Sequence, residues 1–241
     1  MNHTYYLCCN ITSAIFGNKV IDYNSTYYLC NKVKKVIINC PNAVNIGVSA
    51  FDSTDSALKN VRNIIFGGNC TYAVDAFRNF NGLNNTIEIT IGDPVQNIAN
   101  IFNSCQNCKI INLNISNSVI NMSGSFSRCY NLIGPLAGGD NVVNMVYAYE
   151  RCYNLIGSPI CGNKVTNMAH AYGNCHNLIG PPACGNKVTS MYHTYENCYN
   201  LIGPPACGNN VINMDYAYYN CSNLTGNVIL SSNINSLIRA F

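Results

Sequence analysis

The chain has 241 residues, of which 48% are hydrophobic and 10% charged, with a formal net charge of +3. This is enough apolar material for one large domain or two small ones with a real core, and it excludes a tail or a linker. Charged residues fall far below the roughly 25% usual in soluble domains. Their place is taken by 42 asparagines, and Lys and Arg are scattered apart from Lys32, Lys34 and Lys35, so no basic stripe is laid out to track the phosphates of a nucleic acid.

The first 20 residues, MNHTYYLCCNITSAIFGNKV, lack the basic start and uninterrupted apolar run of a signal peptide. No later segment approaches the 18 apolar residues of a membrane span. The expectation is a chain without a membrane span and without Sec-type export. TYYLC occurs at 4–8 and again at 26–30, so residues 1–40 read as a β-rich cap or attachment segment built from degenerate repeats.

From about residue 41 the chain repeats. An aromatic column runs through Phe51, Phe77, Phe102, Phe126, Tyr149, Tyr172, Tyr195, Tyr218 and Phe241, with spacings of 26, 25 and 24 and then 23 five times. Met122, Met145, Met168, Met191 and Met214 keep the 23-residue period, and so do Cys129 to Cys221 and Leu132 to Leu224. Units over 41–120 are therefore looser, those over 121–230 regular, and 231–241 begins a unit that reaches its aromatic and stops. A period of this size marks stacked units, none of which buries its apolar face alone.

Within a unit, TIEITIG at 86–92 and INLNIS at 111–116 alternate as strands do. Val188, Met191, Tyr195 and Cys198 lie at i, i+3, i+7 and i+10, which predicts one face of a short helix. The fold expected is an α/β solenoid, a leucine-rich-repeat-like stack of about 23-residue strand plus short-helix units. CPNAVNIGVSAF at 40–51 and VTNMAHAYGNCHNLIG at 165–180 resemble the two repeat signatures of the BspA-type leucine-rich-repeat family. That resemblance extends over about residues 37–241 and implies adhesive or structural roles on bacterial surfaces, in mucosal protists or in phage particles. The chain differs from the pattern in having Tyr for Phe in four units and Pro-Pro in the strand segment.

Fifteen cysteines raise the question of ligands, bridges or packing. Cys129, Cys152, Cys175, Cys198 and Cys221 share an inward column. Units about 4.8 Å apart do not bring their Cβ atoms to the roughly 3.8 Å of a disulfide, so they read as a ladder of reduced thiols serving as small hydrophobes. Cys161, Cys184 and Cys207 form a second column nearer the surface. Cys105 and Cys108 make a lone CxxC with no second pair for zinc, and alignment of the units places both in the core. Cys8, Cys9, Cys30 and Cys40 are the bridge candidates. Abundant reduced thiols point to assembly in a cytosol.

No cofactor is implied and no catalytic set assembles. Cys175 and His176 are adjacent and diverge in direction, while Glu150 and Glu196 lie two units apart, about 10 Å by strand spacing, too far for a retaining carboxylate pair. The polar aromatic columns are the candidate contact surface: Tyr147, His170, His193 and Tyr216 in one, and Tyr130, Tyr153, His176 and Tyr199 in the other. Exposed aromatics on an almost uncharged surface suit a protein or glycan partner. Leu237, Ile238 and Phe241 form a candidate assembly end, either folding back as a plug or covered by another subunit. The sequence thus points to a non-enzymatic structural and binding protein, foremost a phage virion component (tail, fibre or head-decoration subunit) assembled in the host cytoplasm as a homo-oligomer or with other virion proteins. The alternative is an adhesin on the bacterial cell surface.

Overall fold

The computed structural model describes residues 10–17, 32–39, 60–68, 70–79, 86–133 and 138–241. Five strands form one parallel sheet in sequential order: β1 (Ser13–Phe16), β2 (Lys35–Ile38), β3 (Asn63–Phe66), β4 (Thr86–Ile91) and β5 (Lys109–Ile115). Burial alternates along them, with Ala14, Phe16, Val36, Ile38, Ile64, Phe66, Ile87, Ile89 and Ile91 inward, as the period of two requires. Strands β1 and β2 fall within residues 1–40 and pair in register with the rest, Phe16 beside Ile38 and Ile38 beside Phe66. The parallel relation continues past the sheet as a line of single bridges from Tyr72 through Asn97, Asn121, Asn144, Asn167, Ser190 and Asn213 to Ser236.

The expected short helices are absent from the described residues. Where they were predicted, N–H groups alternate between two kinds of acceptor. Those of Met145, Tyr147, Tyr149 and Arg151 donate to the carbonyls of Asn167, Ala169, Ala171 and Gly173 in the next unit, at 2.7–3.1 Å. Those of Ala148, Glu150 and Cys152 donate three residues back, to Met145, Tyr147 and Tyr149, at 3.0–3.3 Å. The Val146 N–H between them donates to the Asn144 side-chain oxygen at 3.0 Å. Each segment is a run of tandem turns that sends every second donor sideways, which an α-helix cannot do because its own i−4 carbonyls take them all. The burial spacing of three and four residues is common to both forms, which is why periodicity alone suggested a helix.

Two positions in each turn run have left-handed backbone. One is occupied in successive units by Asp75, Asn100, Gly124, Tyr147, His170, His193, Tyr216 and Arg239, with φ of 47–61°. The other carries Asn79, Ser104, Arg128, Arg151, Asn174, Asn197 and Asn220, with φ of 57–62°. Asn tolerates this conformation better than most residues, and here it adds side-chain ladders: Asn220 Nδ2 donates to Asn197 Oδ1 at 2.8 Å and Asn197 Nδ2 to Asn174 Oδ1 at 3.0 Å. Asn at these positions is thereby accounted for in structural terms.

The core between sheet and turn runs is built from columns. Phe77, Phe102, Phe126, Tyr149, Tyr172, Tyr195, Tyr218 and Phe241 form one continuous stack with ring centroids 5.4–5.9 Å apart. Beside it runs the thiol column. Cys105, Cys129, Cys152, Cys175, Cys198 and Cys221 each donate from Sγ to the backbone carbonyl of the aromatic residue one unit earlier, at 2.8–3.1 Å. All described cysteines are free. Those of the second column, Cys161, Cys184 and Cys207, are partly exposed, and Cys161 and Cys184 accept the N–H of Gly185 and Gly208. Cys8, Cys9, Cys30, Cys40, the TYYLC pairs and residues 40–51 lie outside the described residues.

Candidate functional site

The first polar aromatic column is a stack of rings. Tyr147 lies 4.6 Å from His170, His170 4.7 Å from His193 and His193 4.5 Å from Tyr216, with planes within 17° of parallel. Arg239 closes one end, its guanidinium 5.9 Å from the Tyr216 centroid in cation–π geometry. Tyr192 sits edge-on to both histidines, and Glu196 lies 2.8 Å from His193 Nδ1. Burial, with the neighbouring His193 ring adding to it and Glu196 opposing, lowers the pKa of His170 from 6.5 to about 4, so this imidazole stays neutral in neutral solution.

In the second column Tyr130, Tyr153, His176 and Tyr199 follow one another at 5.0, 4.9 and 5.1 Å, the first two pairs stacked and the last tilted by 32°. Burial lowers the His176 pKa too. Sequence reasoning placed both columns outside the core, and that is where they stand, but as half-buried stacks rather than as open rows of rings. Neighbours cover the ring faces, so each interior ring offers its edge. Only Tyr147 and Tyr199 are more exposed, at 42% and 41%.

Aligning the units shows what lies before each stack. Gln106 precedes Tyr130, and Gly124 precedes Tyr147. Where the first column would carry another ring it therefore has no side chain, and a polar hollow of about 520 Å³ opens there, with Gly124 in its wall and Tyr147 and His170 beside it. This hollow was missed in the sequence, although the glycine falls in the Tyr/His column once Phe126 is aligned with Tyr149.

The candidate assembly end is open to solvent. Ile238 is 59% exposed and Phe241 57%, and Leu237 is also exposed. They do not fold back as a plug: Phe241 stacks on Tyr218, and Tyr218 N–H bonds the Ala240 carbonyl at 2.8 Å. A hollow of about 410 Å³ beside it is lined by Tyr218, Cys221, Leu224 and Phe241.

Among the described residues no group of three His, Cys, Asp or Glu side chains could hold a metal ion, and no helix is long and apolar enough to cross a membrane. Cys175 is fully buried and burial raises its pKa, while His176, next in the chain, stacks between Tyr153 and Tyr199. No family model, curated protein or solved structure matches this chain.

Proposed function

We propose that the chain is a solenoid of the BspA-type leucine-rich-repeat kind and a non-enzymatic structural and binding protein, serving as a phage virion component that meets its partner through the Tyr147–Tyr216 ring column. The observation that carries this reading is where the rings stand. Upstream units fill the left-handed position with Asp75, Asn100 and Gly124, whereas the next four use Tyr147, His170, His193 and Tyr216. An L-residue without local hydrogen bonding is strained there by roughly 1–2 kcal/mol, and strain of this sort gathers at functional positions. The two tyrosines of the line are held against the preference of the backbone, which His tolerates better.

The virion placement draws support from the free thiols, which suit assembly in a reducing cytosol. A buried, unactivated Cys175 favours packing over catalysis.

Mass spectrometry of gradient-purified particles from cells carrying the gene tests the placement. Peptides of this chain at stoichiometric abundance in the particle are expected. Their absence, with the same peptides released by protease from intact cells, would replace the virion by a surface adhesin. For the column itself, binding of labelled protein to host cells is compared with a variant carrying Ser at 147, 170, 193 and 216. Undiminished binding by a folded variant would remove the column from the function.

A further inference from the structure

The ring column has one uncovered face, and it belongs to Tyr147. His170 stacks on the other side of this ring at 4.6 Å. The unit before it places Gly124 at the equivalent position, and no described ring stacks on that side. A Cβ on Gly124 would meet the side-chain oxygen of Asn100, the far end of a side chain that can turn aside, so the gap can be filled by substitution. An exposed aromatic face thus forms one wall of a polar hollow.

The other walls carry groups suited to hydroxyls. Asn103 is in the lining: its amide nitrogen lies 3.4 Å from both Asn100 Oδ1 and the Gly124 carbonyl, and its Oδ1 accepts from Ser104 Oγ at 2.8 Å with a second lone pair left for a hydroxyl. Ser127 Oγ donates to Glu150 Oε2 at 3.3 Å, and Glu150 Oε1 faces Arg151 Nε at 3.8 Å. The carboxylate is thus held in place with acceptor capacity to spare. Arg128 stands beside them with its guanidinium engaged by no described residue; its backbone is left-handed, at φ 61°.

We infer that the hollow above Gly124 is a saccharide subsite, in which a pyranose ring stacks on the free face of Tyr147 and its hydroxyls bond to Glu150, Asn103 and Arg128. The pyranose takes the place of the ring that Gly124 leaves out of the column. A flat apolar face ringed by a carboxylate, an amide and a guanidinium matches a sugar, which has C–H groups on its faces and hydroxyls around its edge. The volume of about 520 Å³ holds a monosaccharide unit with room for a neighbour. A flat protein partner would leave these polar groups unpaired.

This inference rests on the column being a contact surface, and its test is separable from that reading. Full-length protein is screened on a glycan array, and the best saccharide is titrated calorimetrically against the wild type and four variants. Binding is expected, weakened about tenfold or more by Tyr147→Ala. Tyr147→Phe, which keeps the face, should stay within a few fold. Gly124→Tyr supplies the missing ring and fills the gap, a residue the same left-handed position accepts at 147 and 216, and is expected to abolish binding. Lys187→Ala, an exposed change outside both the column and the hollow, should leave saccharide affinity unchanged. Two results overturn the inference: no saccharide bound at millimolar concentration, or binding indifferent to Gly124→Tyr in a variant whose circular dichroism matches the wild type. If saccharides do not bind while the serine column variant still loses cell binding, the column stands and the subsite falls.

Discussion

The Tyr195 hydroxyl donates to the backbone carbonyl of Ala183 at 2.6 Å and receives the Ala183 N–H at 3.1 Å. Ala183 follows Pro181 and Pro182, in the segment that upstream is strand β5. Tyr172 makes the same pair of bonds with Ile160, and Tyr218 reaches the Ala206 carbonyl. Two departures from the repeat pattern, prolines in the strand and Tyr for Phe in the core, are therefore one device. Proline removes donors of a parallel ladder, among the described residues no strand follows β5, and the buried phenol hydroxyls satisfy backbone groups that no strand pairs there.

Tyr195→Phe should accordingly cost more than one hydroxyl suggests, because it strands both a carbonyl and an N–H in a half-buried place. A loss of about 1–3 kcal/mol in chemical denaturation is expected. The reciprocal change, Phe102→Tyr, puts a hydroxyl opposite Thr90 of β4, whose backbone already pairs with Ile65 and Asn114. It should destabilise as well, by about 1–3 kcal/mol. If Tyr195→Phe is neutral, the pairing of proline and tyrosine is accidental.

Much of this architecture was legible in the sequence. The 23-residue period gave the unit, and the inward aromatic and thiol columns followed from in-register parallel stacking. The tandem turns were not legible, because Met145, Ala148, Tyr149 and Cys152 are buried at the spacing a helix would give. What separates the two forms is where alternate N–H groups go, and no side chain spells that out. The left-handed positions left a partial trace in Asn79, Asn174, Asn197 and Asn220, but Ser104, Arg128 and Arg151 at the equivalent place, and Tyr and His at the other, concealed it. Sequence spacing identified both ring columns, whereas the uncovered face of Tyr147 depends on a residue that is missing.

The thiol ladder predicts a reactivity pattern. Burial pushes the pKa of Cys129 up to about 12 and also raises those of Cys152, Cys175 and Cys198. Thiolate is the reactive form, so these four should resist alkylation at pH 8 in the native protein and react fully in guanidinium, as read by peptide mapping. Cys207, partly exposed in the second column, should label ahead of them. Native labelling of Cys175 as fast as Cys207 would refute a closed core.

His170 predicts an acid-side loss of stability. Its folded pKa lies at about 4 against 6.5 for the ordinary group, through burial first and His193 second. As pH falls below 6.5 the unfolded chain takes up a proton that the folded chain refuses, so the stabilisation present above 6.5 drains away until about pH 4. Discounted for solvent around a half-buried ring, the loss is on the order of 1–2 kcal/mol. His170→Tyr, matching Tyr147 and Tyr216 in the column, should flatten the melting-temperature profile between pH 6.5 and 4. An unchanged slope would assign the acid sensitivity to other groups.

Asn197 combines left-handed backbone with a place in the side-chain ladder. Its φ is 57°, and its side chain donates to Asn174 and accepts from Asn220. Asn197→Gly keeps the backbone at ease and removes only the ladder, whereas Asn197→Ala removes the ladder and adds left-handed strain. The expected losses are about 1 kcal/mol for Gly and about 1 kcal/mol more for Ala, measured by denaturant midpoints at equal slope. If Ala proves the milder change, ladder and backbone conformation cannot both be what selects Asn here, since Ala retains neither.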